Sequence, residues 1–167
     1  MKRFFAISIA VFLIFALCAC NRSVNMDVLT DYQKDDFEAE VKILSGKKEY
    51  LAHIIQNQEK LFLSVKEPAA LEDFTFVFEK DGASIVADGT VIPILAEELL
   101  SLSKIYGLFS VSVAGTWKIE KSRPGGVELY ICENENTVMY IDAHSHLPLK
   151  IISEGIAVDI LSFSVAK

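Results

Sequence analysis

Apolar residues recur along this chain in three rhythms. The first is a continuous run over residues 4–17, preceded by Met1-Lys2-Arg3. The second begins at Phe37 and has a period of two. Phe37, Ala39, Val41 and Ile43 fall on one side of an extended chain, with Glu38, Glu40 and Lys42 on the other. That alternation predicts a strand with one wet face. Similar stretches follow at 49–56, 61–66, 74–79, 84–87 and 90–92, and again at 117–120, 127–132, 137–143, 147–152 and 156–165. Turn residues separate them: Ser45-Gly46, Asn57-Gln58, Asp81-Gly82, Asp88-Gly89, Pro124-Gly125-Gly126, Asn134-Glu135-Asn136 and Glu154-Gly155. Asp-Gly between alternating stretches is a strong signal for a two-residue hairpin. The reading is an antiparallel meander of about ten short strands.

The third rhythm interrupts the second. Leu95, Leu99, Leu102, Ile105 or Tyr106, and Phe109 recur at helical spacing and predict an amphipathic helix over 96–109. Glu97 and Glu98 stand near its start and Lys104 near its end, as the helix dipole favours. Gly107 is an end or a weak point. A shorter helix is predicted over 26–32, packing by Val28, Leu29 and Tyr32. No linker rich in Pro, Gly or Ser breaks the chain and no repeat recurs at fixed period. The expected class is therefore mainly β (α+β), with one domain over 37–167.

The run at 4–17 has 14 residues, short of the roughly 20 that a spanning helix needs. Two cations, an apolar segment and small residues before a cysteine make an export signal. Its end, Leu17-Cys18-Ala19-Cys20, resembles a bacterial lipobox, with Leu17 three before the modified cysteine and Ala19 just before it. The resemblance implies cleavage after residue 19 and diacylglycerol on the Cys20 sulfur. Two other readings of these residues stay open: lipidation at Cys18, with bulky Leu17 in the small-residue place, or cleavage after Ala19 with no lipid. Residues 20–36 are then the lipidated cysteine and a polar tether.

This assignment changes the composition. Residues 20–167 lose Lys2 and Arg3, which takes the net charge from −7 to −9. An acidic surface argues against nucleic acid, whose phosphates need clustered Lys and Arg. It offers no polybasic patch for anionic lipid heads, so membrane attachment falls to the anchor. Cys18 leaves with the signal and Cys20 becomes a thioether. Cys132 alone remains, without a partner for a disulfide or a metal, and is expected to pack as a small apolar residue.

Short antiparallel strands interrupted by one central amphipathic helix resemble the LolA/LolB-like lipoprotein-carrier superfamily. Three stretches carry the likeness. One is Leu71-Glu72-Asp73-Phe74-Thr75-Phe76-Val77-Phe78 with its two Asp-Gly hairpins ahead of the helix. Another is the hairpin from Tyr140-Ile141-Asp142 to Leu147-Pro148-Leu149-Lys150-Ile151. The last is the closing strand at 155–163. The resemblance covers residues 37–165 and implies a half-open β-barrel under a helical lid. It also implies an apolar concave face that holds a lipid or the acyl chains of a lipidated protein. No residue matches a defined acyl-binding or transfer residue of that superfamily.

Other chemistry finds little support. Asp142, His144 and His146 are the only cluster of metal-ligand types, and they lack the further ligands of a zinc site. They read as a polar hairpin loop. No GxSxG motif is present, and Ser101 and Ser103 have no His or Lys at motif spacing. Glu97 and Glu98 point about 100° apart on a helix and read as a solvated first turn. Arg123-Pro124-Gly125-Gly126 reads as a turn. Neither a cofactor nor catalysis is expected. The most suggestive feature is the apolar stripe of Phe74, Phe76, Phe78, Leu61 and Leu63, joined by Phe37, Val41, Val65, Leu129 and Ile131, with Leu95, Leu99, Leu102 and Phe109 as cover. Two readings remain open: a cavity for an apolar ligand, or a filled core in a protein that works through a protein partner. Whether the host has one membrane or two is also open, since Asn21 after Cys20 does not decide it.

Overall fold

A computed structural model describes residues 24–57, 60–79, 82–94, 100–110 and 116–166. The signal segment, Cys20, Leu95, Leu99 and the Glu97-Glu98 pair lie outside the described residues, as does the side chain of Leu102.

Eleven strands occur among the described residues: β1 Phe37–Ser45, β2 Lys48–Asn57, β3 Lys60–Glu67, β4 Phe74–Glu79, β5 Gly82–Ala87, β6 Thr90–Ile94, β7 Lys118–Ser122, β8 Leu129–Glu133, β9 Thr137–Asp142, β10 Pro148–Ser153 and β11 Ile156–Val165. They form one antiparallel sheet in the order β6-β5-β4-β3-β2-β1-β11-β10-β9-β8-β7. Two meanders are thus fused where the first strand pairs with the last, from Phe37 opposite Val165 to Ser45 opposite Ile156. Among the described residues β6 and β7 each pair on one side only, so the ladder is open. The helix α2, Leu100–Phe109, lies in the connection between those two edges. No described helix is long and apolar enough to cross a membrane.

Local chemistry fixes two of the expected hairpins, while at Asp81-Gly82 the expectation fails, since Gly82 belongs to β5 and pairs with Glu79. Asp88 and Gly89 have φ of 48° and 75°, the left-handed pair of a type I′ hairpin, and they set Ala87 opposite Thr90. Glu154 and Gly155 repeat the pattern at 46° and 81°. One extra residue enters β11. Val41 faces Ile160 while Glu40 faces Ser162, so Leu161 is the bulged residue and stands 58 % exposed.

The inner face is apolar in files that run across strands. Ala39, Ile54, Leu63, Phe76 and Ile85 make one file, and Ile43, Val158, Ile151, Met139 and Cys132 make another. All but Ile85, which packs partly buried against them, belong to one buried cluster. Two short helical pieces cover it. From α2 come Ile105, Leu108 and Phe109, all buried. From the N-terminal side come the helix α1, Met26–Leu29, and a 3-10 turn, Asp31–Lys34, which bury Met26, Leu29 and Tyr32.

Three details differ from the sequence expectation. Val28 points outward and is 49 % exposed, because Met26 takes the inward place beside Leu29. Gly107 lies inside α2 rather than at its end. In β8 the inward residues are Tyr130 and Cys132, while Leu129 and Ile131 face the other side. Both parities of Leu-Tyr-Ile-Cys are apolar, so alternation alone could not choose between them.

Candidate functional site

Of the stripe residues, Leu61, Leu63, Phe76, Phe78 and Phe109 share the inner cluster and are all buried, with Phe74 packed partly buried at its margin. Register places Leu61 opposite Phe78 and Leu63 opposite Phe76. Phe109 sits 5.8 Å from Phe37, ring centre to ring centre, and Phe37 stacks on Phe163 at 4.8 Å. Tyr32 meets Phe37 and Phe163 edge-on at 6.1 and 5.3 Å. These four rings close the inner face at the β1–β11 seam. Edge-to-face and stacked pairs at such spacing contribute beyond their area alone.

The N-terminal segment is tied to the same place by polar bonds. Asn25 caps α1 by accepting from the Val28 N–H at 3.2 Å, and Thr30 Oγ1 donates to the Met26 carbonyl at 2.8 Å. Gln56 Nε2, from the end of β2, donates to the Gln33 carbonyl at 3.1 Å. The Ala166 N–H donates to the Asp36 carbonyl at 2.8 Å. Burial pushes the Tyr32 phenol far above its ordinary range. The sequence signalled a short helix packing by Leu29 and Tyr32; that Met26 joins them in place of Val28 is visible only from the fold.

The titratable candidates are committed elsewhere. Asp142 Oδ1 accepts from the Ser145 N–H at 2.8 Å, Ser145 Oγ at 2.9 Å and the His144 N–H at 3.0 Å. Ser145 first, then His144, holds this carboxyl below the usual range. His146 takes a left-handed φ of 57° and its ring lies 6.2 Å from Tyr130. The loop is a hydrogen-bonded turn. No group of three or more His, Cys, Asp or Glu among the described residues could hold a metal ion. Arg123 Nε donates to the Gly126 carbonyl at 3.2 Å across its own turn. Cys132 is fully buried in the core, and burial pushes its thiol up to about 11.

The outer face is of two kinds. Across its middle, cross-strand ion pairs join Lys42 to Glu49, Lys66 to Glu40 and Lys150 to Asp159, and a hydrogen bond links His53 to Glu38. From β2 to β6 it turns apolar. Ile55, Phe62 and Val77 lie in one file, with Val86 and Val91 in the next. Ile55 is 41 % and Val91 63 % exposed. The edge itself is blunted. Pairs alternate outward from the hydrogen-bonded Ala87–Thr90 pair, so Pro93 occupies a place that would offer an N–H to a further strand. At the opposite edge β7 carries Lys118, Glu120 and Lys121, charges that discourage strand addition.

No protein-family model matches the sequence, and no curated protein matches it. Solved structures do. An uncharacterised conserved protein from Thermus thermophilus is similar over 85 % of both chains, at a TM-score of 0.55 and 12 % identity. MucB is similar at a TM-score of 0.53 and 13 % identity, over 85 % of this chain and 57 % of its own length. A LolA superfamily protein from Nitrosomonas europaea aligns at a TM-score of 0.48 and 10 % identity, over 87 % and 95 % of the two chains. At these identities the likeness is one of fold. The chain shares its fold, at a distance, with MucB and with the Thermus thermophilus protein.

Proposed function

We propose that this protein is a non-catalytic domain, lipid-anchored at Cys20 outside the bacterial cytoplasm, that works by binding another protein. The observation that carries this reading is the occupancy of the inner face. Of the side chains expected to border a ligand space, Leu61, Leu63, Phe76, Phe78 and Phe109 are buried in one cluster, Phe109 beside Phe37, and Phe74 is partly buried at its margin. Among the described residues the inner face is packed around these side chains and opens towards β6, where Ile92 is 49 % exposed. An apolar surface still open is the outer β2–β6 face, with Ile55 and Val91 exposed beside Phe62 and Val86. Covering these half-exposed side chains would contribute roughly 1–2 kcal/mol each. A blunted edge directs a partner to the face of the sheet rather than to its rim.

A photo-crosslinking residue at Val91, introduced into the full-length protein in cells, tests this. The expected product is a discrete protein adduct that disappears with Ile55→Asp, while the melting temperature stays within a few degrees of the parent. Absence of any protein adduct, or an adduct to lipid alone, would contradict the reading.

A further inference from the structure

We propose that the outward side of α1, carrying Asp27 and Val28, rests against the headgroups of the bilayer that holds the anchor. The inference rests on the reading of Cys20 as the lipidated residue. Its second footing is where the packed body begins. Val24 already packs, partly buried, against the core, and Met26 and Leu29 are buried two and five residues later. Only residues 21–23 separate Cys20 from Val24. Four residue steps reach at most about 14 Å even when fully extended. A bilayer's headgroup layer takes about 5–7 Å of that on each side. The remaining slack is smaller than one helix diameter, about 10–12 Å. A body tied so closely has no room to stand away from the membrane.

Which surface it turns to the bilayer follows from α1. Met26 and Leu29 point into the core, so Asp27 and Val28 point out, and Val28 is 49 % exposed. The body cannot swing on a loose arm here. Asn25 caps the helix, Thr30 ties back to Met26, and Gln56 holds the Gln33 carbonyl. The chemistry of the facing surface also matters. Asp27, Asp31, Asp35 and Asp36 outnumber Lys34 between residues 26 and 36. At separations near the Debye length, about 8 Å at physiological salt, such a segment suits zwitterionic headgroups and is repelled by anionic ones. The tether, rather than attraction of charge, holds it there.

The test uses the mature lipidated protein in neutral phosphatidylcholine vesicles that carry a nitroxide on their headgroups. A fluorophore is placed at Val28→Cys; the other thiol, Cys132, is fully buried. Mass spectrometry first establishes diacylglycerol on Cys20. The expected result is strong quenching of the label by the headgroup nitroxide. A 20-residue Gly/Ser insertion after Ser23, which adds about 25 Å of root-mean-square reach, should bring a loss of that quenching. An unquenched label on protein of the lipidated mass would overturn the proposal and leave the anchor standing. A mature mass without the lipid would overturn the anchor and the proposal with it.

Discussion

Phe109→Ala probes the packing of the inner face most sharply. The ring is fully buried, closes the end of α2 and lies 5.8 Å from Phe37. Phe37 in turn stacks on Phe163, so truncation at 109 removes one wall of a shared aromatic group. In a filled core the loss has two parts: the transfer free energy of the ring, and the cavity that stiff neighbours leave behind. Their sum is about 3–5 kcal/mol for a buried phenylalanine. Against a total stability of about 5–15 kcal/mol this is a large fraction. With a urea m-value of roughly 2 kcal/mol/M, the midpoint should fall by about 2 M with m unchanged. Phe109→Leu, which keeps most of the volume, should cost less than about 1.5 kcal/mol. A Phe109→Ala cost near 1 kcal/mol would refute the reasoning. It would mean that the ring borders open space and that neighbouring side chains lose little when it goes.

Leu29→Ala should destabilise by about 2–5 kcal/mol in the same assay, whereas Val28→Ala should stay within about 0.5 kcal/mol; equal effects would place α1 off the core. Cys132 should be inert to a thiol reagent in the native protein and react fully on unfolding. Its thiol is raised in the fold, so the stability it contributes is complete below pH 9 and is lost as pH rises from about 9 towards 11; Cys132→Ser should flatten that part of the pH–stability curve. Asp142→Ala removes the acceptor of the Ser145 and His144 N–H groups, and amide exchange at those two positions should speed up while β9 and β10 keep their protection. Lys66→Ala, which breaks an exposed pair with Glu40, should change stability by less than about 1 kcal/mol.

Most of the sheet was legible in the sequence because its two faces differ in polarity. The alternation in β1 sends Phe37, Ala39, Val41 and Ile43 inward, as Glu38, Glu40 and Lys42 between them require. Asp88-Gly89 and Glu154-Gly155 fix their hairpins by local backbone chemistry, which needs no tertiary knowledge. Reading failed where polarity gave no contrast. In β8 both parities are apolar, and only pairing with Met139 and Ile119 shows that Cys132 is the inward residue. The bulge at Leu161 shifts register between Ile160 and Ser162, and Val-Asp-Ile-Leu-Ser-Phe carries no mark of where the extra residue falls. The N-terminal segment was legible in part. Leu29 and Tyr32 are core residues, as their spacing predicts, but Met26 takes the inward place expected of Val28.

Native mass spectrometry of the mature protein, extracted gently from its membrane and kept folded, distinguishes a packed inner face from one that holds a ligand. The expected result is the mass of the lipidated chain alone, with protein as the only further component of any complex. A stoichiometric apolar adduct, released on unfolding and absent from Phe109→Trp, would contradict it and make the inner face a ligand site.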